Sequence, residues 1–133
     1  RLTGTASGEW PRLDLVLLGM GDDGHTASLF PGTQALTEQT RWVVPGLSPQ
    51  GIRPRLTLTL GVINHASVIL FLVTGLNKAK VLRSVVEGRS SDPPPHPAAR
   101  VRPETGRLLW YLDRAAASGL TTATLDFSSQ EEP

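Results

Sequence analysis

The sequence predicts an α/β fold of three layers built around a mainly parallel sheet. Two short apolar segments, residues 13–18 and 68–73, are typical of strands that are buried on both faces of such a sheet. An amphipathic helical pattern follows the second segment directly, and alternation of strand and helix is what parallel pairing requires. With 133 residues, 39% of them hydrophobic, the chain is long enough for one domain and too short for two.

The other elements follow from local patterns, in chain order. Residues 1–12 are polar or small for the most part and predict a connector. In residues 55–60 three leucines alternate with Arg55 and two threonines, which predicts a strand with a buried leucine face and an exposed polar face. Apolar residues then recur at helical spacing over residues 79–86, and Gly88 is a suitable helix stop.

The last third of the chain contains a proline-rich break and a further strand and helix. Prolines in residues 90–97 exclude helix and central strand, and therefore predict a stiff surface loop. Residues 106–112 predict a strand, and residues 113–117 predict a short helix. The small, polar and acidic residues 120–133 predict a mobile tail beyond a single domain over residues 1–119.

Composition excludes several classes of function. The net charge of +1 is scattered along the chain, so neither nucleic acid nor a membrane surface is expected as a partner. The absence of cysteine excludes disulfides, thiolate catalysis and cysteine-bound metal, and it is compatible with a reducing compartment. We therefore expect a soluble, cytoplasmic protein. No zinc-ligand spacing and no complete dinucleotide-binding pattern occur, so neither a metal nor a cofactor is predicted.

The junction after the first predicted strand is the richest in chemical groups. Ligands of open α/β sheets bind beyond the carboxyl ends of the strands, where Gly21 and Gly24 allow close approach of backbone to a ligand. Histidine is the side chain that titrates nearest to neutral pH, and Asp23 lies two positions from His25. This pair suggests a general base with an orienting carboxylate. A structural alternative remains open, in which both residues only cap the turn and the following helix.

A second junction follows the second predicted strand. Lys78 lies in the first turn of the predicted helix, where backbone N–H groups and an ammonium could bind an anion, although a purely structural role is equally compatible. Arg55 is a candidate for a second anion ligand, or is simply exposed. Asp22 is expected to be a solvated loop carboxylate, and His65 and His96 are expected to be structural.

Residues 19–32, GMGDDGHTASLFPG, closely resemble the signature of the 6-phosphogluconolactonase family. The likeness continues in the same order through residues 54–59, 73–79, 97–98 and 109–113. The resemblance implies hydrolysis of 6-phospho-D-glucono-1,5-lactone to 6-phospho-D-gluconate, the second step of the oxidative pentose phosphate pathway. It also implies the fold of glucosamine-6-phosphate deaminases and ribose-5-phosphate isomerases, and a reaction that needs no cofactor. We expect a monomer.

The resemblance also implies roles for individual residues. His25 matches the proposed general base of the family, with Asp23 as its partner, and a δ-lactone is activated enough for base-assisted attack by water. Lys78 and Arg55 are the candidates for the 6-phosphate of the substrate, and Gly21 and Gly24 are candidates for further substrate contacts.

Two alternatives accompany this assignment. The related amino-sugar phosphate deaminases have a similar signature, in which a catalytic glutamate follows the histidine by five residues. Phe30 stands at that position here, which argues against deamination. A Ser/Gly-rich phosphate loop and an acidic-arginine segment of full-length lactonases are not found, so the chain resembles the carboxyl-terminal half of the family's fold and is expected to be incomplete. It could therefore be a non-catalytic fragment or sugar-phosphate-binding remnant.

Overall fold

A parallel sheet lies at the centre of the computed structural model, which describes residues 8–49, 54–88 and 91–126. The strands of these ranges are β1 (Leu15–Leu18), β2 (Val43–Gly46), β3 (Arg55–Leu58), β4 (Val68–Val73) and β5 (Arg107–Leu112). β1, β4 and β5 form the three-stranded parallel sheet in that order, while β2 and β3 form a separate antiparallel pair. The predicted α/β class with a mainly parallel sheet is confirmed.

Four short α-helices accompany the strands of the described ranges: α1 (Leu60–Asn64) and α2 (Ala79–Glu87) lie between strands, and α3 (Arg114–Ala117) and α4 (Thr122–Asp126) follow β5. α2 forms where the periodicity predicts it, ends before Gly88 and buries apolar side chains in the core. Asp113 is the N-cap of α3, and its carboxylate accepts hydrogen bonds from the backbone N–H groups of Ala116 and Gly75. Since Gly75 follows β4, this one side chain joins the ends of two neighbouring strands.

The described elements cover one face of the parallel sheet. Its core side buries apolar residues of β1 and β4: Val16, Leu18, Ile69, Phe71 and Val73. On the opposite side Leu15, Leu17 and Leu72 are 52%, 60% and 52% exposed. The prediction that both strands are buried on two faces is therefore wrong for these ranges. No described element covers this side, so the predicted third layer is not seen among the described residues.

The strand predicted from alternating leucines forms as β3, and Leu58 packs against the core as expected, but the rest of the burial pattern differs. Thr57 and the adjoining Thr59 are buried, whereas Leu56 is 76% exposed. The Thr57 hydroxyl accepts a hydrogen bond from the Ser28 backbone N–H, and the Thr59 hydroxyl donates to the Arg41 carbonyl. A buried hydroxyl is tolerated where it is hydrogen-bonded, so tertiary partners decide which face is buried here.

We expect Thr59→Val to lower the free energy of unfolding by about 1–2 kcal/mol, because it keeps the size of a buried side chain and removes its hydrogen bond to Arg41. Leu56→Ser is the matched control and should change stability by less than about 0.5 kcal/mol, since that leucine lies in solvent. Urea unfolding followed by circular dichroism measures both values. The opposite ranking would support the burial pattern predicted from the alternation.

The end of the described chain also differs from the sequence prediction. Residues 120–126 are not a free tail, because α4 packs beside Glu87 at the end of α2. The Glu87 carboxylate accepts hydrogen bonds from the Thr121 backbone N–H at 2.7 Å and from the Thr124 hydroxyl at 2.9 Å. The part of the predicted tail over residues 127–133 lies outside the described residues.

The predicted loop segments contain no α-helix or strand where the structure describes them. Residues 8–12 of the predicted connector are irregular, and residues 1–7 lie outside the described residues. Residues 91–96 of the proline-rich segment are irregular as expected, and a 3-10 turn, Pro97–Arg100, follows them. Across all three described ranges, every helix is too short or too polar to span a bilayer.

Candidate active site

The two chemically rich junctions meet at the carboxyl end of the parallel sheet. The turn of residues 19–25 follows β1, and the 3-10 segment Leu76–Lys78 follows β4. The Asn77 side-chain amide donates a 3.0 Å hydrogen bond to Asp22, and the Lys78 ammonium lies 2.5 Å from the same carboxylate. Parallel pairing of β1 with β4 thus brings together residues that are more than fifty positions apart.

His25 and Asp23 form a close pair within the turn. Nδ1 of His25 lies 2.6 Å from Oδ1 of Asp23, and the His25 backbone N–H donates to the same oxygen at 3.0 Å. An ionised carboxylate only accepts hydrogen bonds, so Nδ1 carries the proton, and Nε2 of the neutral ring keeps a lone pair. The structure therefore places the two predicted catalytic residues in the arrangement of an oriented base.

The bonds of Asp23 to His25 favour the charged form of its carboxyl. Burial alone would raise the pKa of the Asp23 carboxyl, but the hydrogen bonds from the His25 backbone N–H and imidazole outweigh it, so the pKa is lowered from 3.8. The carboxyl consequently remains ionised at neutral pH. A negative charge at 2.6 Å stabilises an imidazolium, which is the form that His25 takes after it accepts a proton.

Gly21 and Gly24 are required by the turn itself. A Cβ on Gly21 would lie 2.1 Å from Nδ1 of His25, so only glycine leaves room for the imidazole in its present position. Gly24 has φ +77°, and a Cβ there would lie 2.6 Å from Nδ1 of His96. Protein side chains occupy the space beside both glycines, and their contacts with a substrate stay a prediction.

Asp22 is paired rather than simply solvated, contrary to the expectation from sequence. The hydrogen bond and charge of the Lys78 ammonium lower the pKa of the Asp22 carboxyl. Lys78 is 20% exposed in its side chain, and Asp22 is 69% exposed. An anion that binds Lys78 must therefore compete with a carboxylate of the protein.

Arg55 lies near the Asp23–His25 pair (the dyad), next to an aromatic ring that packs on His25. Its guanidinium carbon is 5.9 Å from the centre of the Phe30 ring, and that ring centre is 4.4 Å from the centre of the His25 imidazole. Phe30 is buried, and its ring packs against the imidazole at an angle of 33°. Lys78 thus contacts a residue of the turn and Arg55 lies near Phe30 beyond it, but neither contacts His25 in a described interaction.

An open cavity of about 470 Å³ lies beside the dyad. It is lined by β1, by residues of the following turn including His25 and Gly21, and by Leu58 of β3. This volume is in the range of small-molecule sites. The structure thus places His25 on a cavity, whereas Lys78 and Arg55 do not line it.

His96 is a residue of this region that the sequence does not mark as functional. Its ring lies beside Gly24, and its Nδ1 is 3.1 Å from the Asp23 carbonyl oxygen. No local pattern could reveal this contact, because it joins residues 73 positions apart. His65 is elsewhere, with its Nδ1 3.9 Å from a Glu104 carboxylate oxygen. In the described part of the chain, no three His, Cys, Asp or Glu residues are grouped to hold a metal ion.

Comparisons with known proteins agree with this geometry. The family model "Glucosamine-6-phosphate isomerases/6-phosphogluconolactonase" matches residues 1–110. The chain is 49% identical over 108 residues to 6-phosphogluconolactonase from Rattus norvegicus, which covers 80% of this chain and 41% of the rat protein. It is 47% identical over 117 residues to 6-phosphogluconolactonase from Nostoc sp., covering 88% of this chain and 47% of that relative.

A solved structure shows the same likeness in three dimensions. The structure of 6-phosphogluconolactonase from Trypanosoma cruzi superposes with a TM-score of 0.74 at 38% identity, over 90% of this chain and 47% of that one. The chain therefore spans less than half the length of these relatives. The expectation that this part is the carboxyl-terminal half is not supported by these comparisons.

Proposed function

The chain belongs to the family of glucosamine-6-phosphate isomerases and 6-phosphogluconolactonases, and on that premise we propose that it hydrolyses 6-phospho-D-glucono-1,5-lactone to 6-phospho-D-gluconate. The proposed reaction is the second step of the oxidative pentose phosphate pathway. The observation that carries the proposal is the 2.6 Å contact of Asp23 with His25 at a cavity of suitable size.

The chemistry of the dyad suits addition of water to an activated ester. Nε2 of His25 accepts a proton from a water molecule as its oxygen forms a bond to C1 of the lactone. The ring C–O bond then breaks, and the proton passes to the departing ring oxygen to give the open hydroxy acid, which ionises to the product. Asp23 stabilises the imidazolium between these steps. One water is consumed and no other reactant is needed.

The 6-phosphate is proposed to bind at Lys78, with Arg55 as a second ligand. Lysine acts on a phosphate as a point charge, and arginine can bind two of its oxygens at once. Asp22 now holds the Lys78 ammonium, so phosphate binding includes displacement of that carboxylate. This competition would disfavour weakly charged ligands, because only a dianion offers more charge than Asp22 already supplies.

We expect Lys78→Ala to raise KM for the phosphorylated lactone about tenfold and to change kcat less than about threefold, because the lost contact is remote from the reacting carbon. Steady-state kinetics, corrected for spontaneous hydrolysis, measure both constants. Lys80→Ala, at the exposed Lys80 of α2, is the matched control and should leave KM unchanged. A normal KM in Lys78→Ala would exclude this phosphate site.

Sugar-phosphate binding without turnover is a second candidate. It is favoured by the uncovered side of the sheet, where exposed leucines indicate that part of the family's fold is absent from the described residues. Calorimetric titration with 6-phosphogluconate tests binding, and the lactone assay tests turnover; binding with no turnover would support this candidate.

Deamination of an amino-sugar phosphate is disfavoured, because Phe30 is apolar and buried against His25. A cytoplasmic location and a monomeric state stay predictions from the sequence.

A further inference from the structure

His96 joins the proline-rich segment to the turn that carries the dyad. Its Nδ1 lies 3.1 Å from the Asp23 carbonyl oxygen, and its Nε2 lies 3.1 Å from the Ser84 hydroxyl on α2. The Ala98 backbone N–H donates a 2.9 Å hydrogen bond to the carbonyl of Gly24. Two successive carbonyls of the turn are thus held by residues of the same distant segment.

The contacts of His96 determine its tautomer. A carbonyl oxygen only accepts hydrogen bonds, so Nδ1 of His96 carries a proton and donates it to the Asp23 carbonyl. Nε2 of the neutral ring then accepts from the Ser84 hydroxyl. The ring also fills the space beside Gly24, where a Cβ would lie 2.6 Å from Nδ1. His96 is therefore held by two polar contacts and by close packing.

We propose that His96 is a positioning residue for the Asp23–His25 pair. Its hydrogen bond fixes the backbone of Asp23, and that backbone determines where the Asp23 carboxylate meets the imidazole of His25. A contact of 2.6 Å is sensitive to small displacements of either partner, and support around a catalytic pair sets its precision. The role in turnover rests on the lactonase function proposed above, whereas the effect on the pair itself does not.

The test compares two substitutions of His96 that differ in one hydrogen bond. His96→Leu keeps an apolar body of similar size and removes the donor, whereas His96→Asn keeps an N–H group that can reach the Asp23 carbonyl. We expect kcat to fall about tenfold in His96→Leu with KM within about twofold of the wild type, and His96→Asn to recover most of kcat. His65→Leu is the matched histidine control and should leave both constants unchanged.

A measurement that is independent of turnover accompanies the kinetics. The proton on Nδ1 of His25 should give a low-field NMR signal because it lies in a short hydrogen bond to a carboxylate. We expect His96→Leu to shift or broaden this signal, and His96→Asn and His65→Leu to retain it. If the wild-type chain shows no lactonase activity, the proposed function fails, and the NMR signal alone still decides the positioning role.

Two outcomes would overturn the proposal. The first is a His96→Leu variant whose His25 signal is unchanged, because His96 would then not control the pair. The second is a His96→Asn variant that is as impaired as His96→Leu, since recovery by the retained donor is what separates positioning from packing. Thermal unfolding of both variants is measured first, and the kinetics are compared at a temperature at which both are fully folded.

Discussion

His25→Ala is expected to reduce catalysed lactone hydrolysis by about 10²–10⁴-fold, which is the contribution of a positioned general base. Alanine has no group that could take a proton from water, and the neighbouring Asp23 carboxylate, which keeps its bond to the backbone N–H of residue 25, is a much weaker base than an imidazole. The rate is measured at neutral pH, with the spontaneous hydrolysis of the lactone subtracted.

Asp23→Asn tests the second member of the pair. An amide can donate a hydrogen bond to Nδ1 and so favour the wrong tautomer, and it has no charge to stabilise an imidazolium. We therefore expect a loss of kcat that approaches that of His25→Ala, and the double substitution should cost little more than either one. His65→Ala serves as the control for loss of a histidine elsewhere. Full activity in His25→Ala would exclude this residue as the base.

The sequence predicts the elements and groups that depend on near neighbours. β4 and α2 form where apolar runs and helical spacing place them, because both patterns describe burial along a single element. The dyad is also predictable, since Asp23 and His25 are only two positions apart in a tight turn and their side chains therefore lie close together. The family resemblance then gives this local chemistry a reaction.

Features that depend on distant partners are not predictable in this way. Burial of Thr57 and Thr59 depends on their hydrogen bonds to other segments, so the alternation alone does not reveal it. The pair of Asp22 with Lys78 joins two strand ends, and the contact of His96 with Asp23 spans 73 positions. Such contacts follow from the packing of elements, which local sequence patterns do not specify.

Gly21→Ala is expected to lower kcat about 100-fold while the fold remains intact. A Cβ at this position would lie 2.1 Å from Nδ1 and 2.2 Å from Cε1 of His25, and 2.9 Å from Oδ1 of Asp23. The imidazole must therefore rotate away, and the hydrogen bond to Asp23 is lost with it. Displacement of a catalytic group by about 1 Å can cost a factor of this size. The kinetics of lactone hydrolysis measure the loss.

The effect of Gly21→Ala can be separated from a loss of stability. Gly21 has no positive φ, unlike Gly24, so alanine brings no backbone strain, and the displaced ring is a side-chain end that can move toward solvent. We expect the free energy of unfolding to change by about 1 kcal/mol or less. Gly19→Ala is the comparison variant: its Cβ meets no protein atom within 4 Å but adds a methyl group to a residue that lines the cavity, so it can change KM and should retain normal kcat. Equal kcat in the two alanine variants would mean that catalysis does not need the imidazole where the structure places it.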